Sequence, residues 1–171
     1  ENANSALITP VGRTLFGDHP LAGVYFQRRM EREAFSRTGS YNAPVQRLED
    51  FLAGRKSTFF GEVKPTYPGA ALAECKGILP AAAEETLKAA VTDMDRRLKG
   101  FASPDAVITF PESRTSSPVR IERDSRCRSI SADNLYPAGE GAGYSGGITS
   151  SAADGLRVAD AIVERLLNGE D

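Results

Sequence analysis

Apolar positions along this chain fall into blocks of different period, and each block predicts an element. Ala6-Leu7-Ile8, closed by Pro10, reads as a short strand. In DHPLAGVYFQRRMEREAFSRTG, Leu21, Val24, Tyr25, Met30, Ala34 and Phe35 recur at helical spacing. Asp18 stands where a cap belongs, Pro20 suits the first turn and Gly39 the end, although Gly23 weakens the interior. A shorter helix is expected where Val45, Leu48, Phe51 and Leu52 share a face between Pro44 and Gly54. Residues 55–70 carry Phe59, Phe60 and Tyr67 without a period, so an extended loop that packs its rings is expected there. The strongest helical signal is Ala83, Leu87, Ala90, Val91, Met94 and Leu98. Pro80, Glu84 and Glu85 mark its start, and Arg96, Arg97, Lys99 and Gly100 its end.

The texture then changes. Ala106–Phe110 and Val119–Ile121 are β-rich runs joined by a Ser/Thr/Pro segment, which predicts two strands and a candidate hairpin. A last strand is expected over Asn134–Ala138, followed by a glycine-rich turn and a helix. Ala152, Leu156, Ala159, Val163 and Leu166 form that helix's expected buried stripe, adjoined by Ala153 and Ile162, and Asn168-Gly169 ends it. The class this implies is α+β: a mainly helical region, a small β element and a terminal strand-turn-helix.

Composition narrows the picture. A chain of 171 residues with 40% hydrophobic side chains is the size of one domain, or one with a small attachment, and can bury a core. Its 21 basic and 23 acidic side chains are well mixed, so no broad potential draws it to nucleic acid or to an anionic membrane. Arg28, Arg29, Arg32 and Arg37 interleave with Glu31 and Glu33 as on a solvated helix face. Cys75 and Cys127 are far apart, and with the single His19 they provide no zinc ligand set, so two free thiols in a reducing cytoplasm are expected. No apolar run approaches the roughly 20 residues of a membrane-spanning helix. The chain opens without Met, which points to a processed protein or an excised piece.

Candidate chemistry concentrates in LYPAGEGAGYSGGITSS. Gly141, Gly143 and Gly146 spell the dinucleotide fingerprint G-x-G-x-x-G, while Gly143, Ser145 and Gly147 spell the nucleophile elbow G-x-S-x-G. An elbow serine needs a histidine later in the chain, and only His19 exists, far upstream. The full fingerprint needs a further strand ending in an acidic residue about 20 positions on, and here the helix runs almost to the terminus. What remains is a glycine turn that lets a ligand approach the backbone, followed by a helix start with unpaired N–H groups and partial positive charge. The alternative that the glycines only let strand and helix pack closely stays open.

PDAVITFPESRTSSPVRIERD leading into NLYPAGEGAGYSGGITSSAADGLRVADAI, with HPLAGVYFQRRMEREAF and APVQRLEDFLAG upstream, resembles the C-terminal third of the bacterial FAD-dependent dehydrogenase family, the NAD(FAD)-utilising dehydrogenases. The resemblance implies FAD as cofactor, NAD(P)H as candidate reductant and a small-molecule substrate. It implies that Glu140, between Gly139 and Gly141, meets the ribityl chain, and that Gly146, Gly147 and Ile148 present backbone to the flavin pyrimidine edge. Arg114, Ser116 and Ser117 either line flavin or substrate or hydrogen-bond a buried turn, and Tyr144 and Ser145 are candidate substrate contacts. No catalytic base and no metal ligand is identified. Residues 1–12 are expected as a connection from the FAD domain, 13–104 as the helical cap or substrate-side domain, and 105–171 as late strands with the FAD-contacting strand and helix. On this reading the chain is a C-terminal fragment whose partner is the missing N-terminal FAD-binding domain, and alone it holds FAD weakly or not at all. A different class, a helical binding or RNA-related interaction module with a purely structural glycine turn, is the alternative.

Overall fold

The computed structural model describes residues 2–169. Its elements are α1 (Arg13–Phe16), α2 (Ala22–Thr38), β1 (Ala43–Arg47), α3 (Leu48–Leu52), β2 (Ala70–Leu72), α4 (Ala81–Arg97), β3 (Val107–Thr109) and α5 (Ile148–Leu167). The chain forms two compact units: one takes residues up to Asp18 with Tyr25–Ser113, the other His19–Val24 with everything from Arg114. The class is α+β, with five helices and a small mixed sheet of three strands among the described residues.

The first unit is organised by β1. This strand lies between β2, which it meets in parallel with Val45 opposite Leu72, and β3, which it meets antiparallel with Val45 opposite Thr109. Pro44 and Val45, expected at the start of a helix, are therefore on the central strand, and the helix shrinks to α3. Neighbours on both sides decide this, because Pro44 contributes only a carbonyl, to which Phe110 N donates at 2.9 Å, while Ala73 N donates to Val45 O at 3.1 Å. The core beneath joins Phe26, Met30, Leu48, Phe51, Cys75, Ile78, Val91 and Phe110, with the Phe51 and Phe110 rings 5.3 Å apart.

The long helices fall where the pattern places them, but the buried stripe of α2 is Ala22, Phe26, Met30 and Ala34 at four-residue steps, while Leu21, Tyr25 and Phe35 are exposed. At its start, Leu21 N donates to His19 Nδ1 at 3.1 Å. Gly39, at φ 64°, closes it. Within α4, Ala83, Leu87 and Val91 are buried, while Met94 and the C-cap residue Leu98 are exposed. Asp95 Oδ1 accepts Gly100 N and Ala102 N to end that helix.

Buried polar groups tie the sheet to its loops. Gln46 accepts Cys75 N at 3.0 Å through Oε1 and donates to Arg55 O through Nε2. Ser57 Oγ accepts Arg47 N at 2.9 Å and donates to Asp50 Oδ2 at 2.8 Å. That hydroxyl is the largest influence holding the Asp50 carboxyl below its usual range, with Arg55 adding to it against the cost of burial.

Three expected strands are absent. Residues 6–8 belong to no sheet, although Leu7 packs on the core. Val119–Ile121 and Asn134–Ala138 carry no ladder; beside them is only an isolated bridge, Arg123 to Ser129, so the hairpin is absent too. β-rich composition makes a strand only where a neighbouring strand accepts its hydrogen bonds, and in the second unit no such neighbour stands among the described residues. β3, expected to group with the C-terminal segment, instead completes the sheet of the first unit.

In the second unit α5 is the one long element. Its buried positions are Asp154 and Val158. The stripe expected to be buried is turned out: Leu156 is 69% exposed, Val163 53% and Leu166 73%, with Ile148 at 93%.

Candidate functional site

The glycine turn between residues 138 and 148 is held from three directions, all within the second unit. Gly139 has φ 66°, and its N–H donates to Asp154 Oδ2 at 2.9 Å. Gly143 N donates to Glu140 O at 2.9 Å and Tyr144 N to Gly139 O at 3.0 Å, closing the loop around Glu140. Gly143 has φ 83°, and a Cβ there would stand 2.3 Å from Val119 O and 2.9 Å from Arg120 Cα, so only glycine fits against the 119–120 backbone.

An ion pair locks the turn to the helix. Arg123 and Asp154 side chains are only 6% and 7% exposed, and the guanidinium meets both carboxylate oxygens, at 2.6 and 3.0 Å. Arg123 also donates to Pro137 O at 2.7 Å, and its guanidinium carbon lies 3.6 Å from the centre of the Tyr144 ring. The Arg123 hydrogen bonds hold the Asp154 carboxyl down at about 2, with the Gly139 N–H assisting and burial opposing. The same pairing raises the Arg123 guanidinium above its ordinary value.

Several candidates from the sequence fall into this framework. Tyr144 is a brace: its hydroxyl accepts Arg123 N at 3.1 Å and donates to Ile121 O at 3.0 Å. Ser117 Oγ lies 2.9 Å from Val119 O and 3.2 Å from Gly141 O, which places it on the turn's own hydrogen bonds. Ser145 Oγ is 2.7 Å from Ser151 Oγ, so this elbow-like serine pairs with another hydroxyl and not with a base. Arg114 and Ser116 are exposed on the segment leading toward Ser117. Glu140 is half-buried, and Gly146, Gly147 and Ile148 are exposed at the start of α5.

Two features are left without a structural duty. A Cβ at Gly141 or at Gly146 would meet nothing within 4 Å, so packing inside this chain gives no reason for glycine at either. Gly147, the N-cap of α5, has extended backbone, and no side chain caps the helix, so its first N–H groups are available to an acceptor. Backbone clearance and uncapped helix-start donors together leave room and N–H groups for an acceptor that comes close to main chain. Arg123 and Asp154 are 31 residues apart, and nothing in either local sequence pattern announces the other.

The fold and turn thus define an α+β domain that offers a backbone cradle at a helix start. Residues 1–115 match the family described as "FAD-dependent protein, C-terminal domain-like", and the chain belongs to that family. The turn at 139–148 lies beyond the matched residues. It falls within the reach of a relative from Clostridium beijerinckii, described as an uncharacterized protein, which is 46% identical over 168 residues. That match covers 96% of this chain and 32% of the relative, so the chain spans about a third of the relative's length.

Proposed function

We propose that this chain supplies the flavin-facing wall of an FAD-dependent oxidoreductase whose site is completed by the rest of a longer protein. The observation that carries the reading is the pairing of unexplained glycines, Gly141 and Gly146, with the uncapped start of α5, in a chain of an FAD-dependent family. In this reading Glu140 accepts hydroxyl groups of a ribityl chain. Backbone N–H groups at Gly146, Gly147 and Ile148 face the ring's pyrimidine edge. FAD, when bound, supplies two-electron acceptance, as in a dehydrogenase acting on a small molecule. The chain's contribution is electrostatic and positional: helix-start donors favour negative charge on the ring by about 0.3–1 kcal/mol, more where water is excluded. The Arg123–Asp154 pair keeps the turn in register with the helix that carries those donors.

The remainder of the longer protein supplies the adenosine and pyrophosphate contacts and covers the apolar face of α5. Two thirds of the relative's length lies outside this chain, and an amphipathic helix with Leu156, Val163 and Leu166 turned outward needs a partner for them.

The test is flavin content of the longer protein. Gly146→Val and Glu140→Ala should each lose most of the bound flavin while leaving the melting of this chain nearly unchanged, since a Cβ at Gly146 meets open space and Ala keeps the Glu140 carbonyl that closes the turn. Retention of stoichiometric flavin by both variants would sink the assignment.

A further inference from the structure

The loop that joins α3 to β2, residues 53–69, has no helix or strand of its own. Unstructured loops beyond about 12–15 residues are uncommon in compact domains, and lids are among the uses that retain them. This one has a firm foot at each end. At one, Ser57 Oγ accepts Arg47 N at 2.9 Å and donates to Asp50 Oδ2 at 2.8 Å; at the other, Gly69 O accepts Ala43 N. Between the feet, residues 58–68 are attached at few points. We propose that this segment is a lid that swings on one carboxylate clasp, Asp105, covering and uncovering Arg47 while the sheet beneath stays folded.

The clasp is a single atom. Asp105 Oδ2 accepts Glu62 N at 2.6 Å and Val63 N at 3.3 Å, and no other backbone N–H of residues 58–68 has a protein acceptor among the described residues. One further hydrogen bond reaches the segment from outside, Asn2 Nδ2 to Lys64 O at 2.6 Å. Lys64 Nζ donates to Gly61 O at 2.9 Å, which ties the tip to itself so that it moves as a piece. None of its apolar side chains is among those that form or pack against the hydrophobic core, and Phe59 and Tyr67 are more than half exposed. A segment with so few buried apolar contacts and backbone bonds opens at a small fraction of the cost of global unfolding. Gly61 is fitted to the clasp: a Cβ there would stand 1.5 Å from Asp105 Oδ1, so a larger residue would push the carboxylate off the two amides.

What the lid covers is a cation. The Arg47 side chain, at the end of β1, is 13% exposed, and its guanidinium carbon lies 4.9 Å from the centre of the Phe59 ring. Its nitrogens stand 3.7–3.9 Å from carboxylates of Glu49, Asp50 and Asp105, outside direct hydrogen-bond reach, and Nε has no acceptor among the described residues. Closure thus gives Arg47 charge compensation and a ring over its face without a direct hydrogen bond, so swinging Phe59 away costs it little. The clasp, the feet and Arg47 all belong to the first unit, and none is part of the 139–148 turn, so the lid does not rest on the flavin assignment.

Chymotryptic cleavage of the intact chain at Phe59 and Phe60, followed through low urea, tests the proposal, with phenylglyoxal labelling of Arg47 and amide exchange as parallel readouts. A lid gives cleavage whose rate hardly changes with urea below the global transition. Asp105→Ala should speed cleavage and Arg47 labelling together by about tenfold or more, as losing hydrogen bonds to a charged group implies, with the β1 amides still far better protected than those of 58–68. Gly61→Ala, which displaces the clasp but keeps every charge, should do the same, and so separates opening from simple loss of the Asp105 charge beside Arg47. Cleavage that tracks global unfolding, rates unchanged in both variants, or faster cleavage without faster Arg47 labelling would overturn the lid.

Discussion

At the residue scale, the glycines of the turn divide by what holds them. Gly143 is required twice, by φ 83° and by Val119 O at 2.3 Å from its missing Cβ. Gly143→Ala must push two backbones apart and should lower the stability of the second unit by about 2 kcal/mol or more in a urea titration. Gly141→Ala, with open space around it, should stay within about 0.5 kcal/mol of the parent sequence. The Arg123–Asp154 pair makes a pH prediction. Because the folded Asp154 carboxyl sits at about 2, below the about 3.9 of an unfolded aspartate, the folded state binds fewer protons between those values. Its stabilisation is complete above about pH 4 and disappears as pH falls through about 2. The stability gap between the parent chain and Asp154→Asn should therefore close over that window, and a gap that persists at pH 2 would mean that the pair does not carry it. Sequence could not have identified this pair, because a single arginine in a β-rich run and a single aspartate in a helix are common, and only the tertiary fold brings them together.

At the element scale, α2, α4 and α5 were legible because each is long enough for period and end signals to agree: Gly39 and Gly100 close the first two, with positive φ at both. Shorter elements were not. The Pro44–Leu52 stretch reads as a helix by its local pattern, yet its first half joins a sheet because Ala70–Leu72 and Val107–Thr109 arrive on either side. Local pattern carries no information about such distant neighbours. The glycine turn was legible as a turn, and its division into required and unexplained glycines was not. In α5 the period was right and the facing was reversed, since the apolar stripe is outward and a charged residue, Asp154, sits in the buried one. That reversal yields a prediction at the same scale. Leu156→Lys with Val163→Lys should leave the melting of this chain almost unchanged, because both side chains are more than half exposed and belong to no core cluster among the described residues. In the longer protein the same pair should destabilise the fold or release the flavin, which thermal melts and absorbance of the purified proteins would reveal.

For the whole molecule, the two units are held by different physics. The first buries a continuous apolar cluster under its sheet, with Val45, Ile78 and Val91 fully inaccessible to solvent. Within it, Cys75 is so enclosed that burial pushes its thiol up to about 12, with Glu84 and Glu74 adding to the rise against Arg37. The second unit rests on one amphipathic helix, loops and a buried ion pair, with no named sheet of its own among the described residues. An ion pair contributes little net stability compared with apolar burial, although breaking it is costly, so the second unit should open more readily than the first. Amide exchange in this chain alone should accordingly be slow along β1 and α4 and markedly faster along α5, while Cys75 resists alkylation until global unfolding. In the longer protein, covering the outward face of α5 should slow its exchange toward that of α4. Equal protection of α4 and α5 in the chain alone would show that the second unit is already complete, and would remove the reason for assigning its apolar face to a partner.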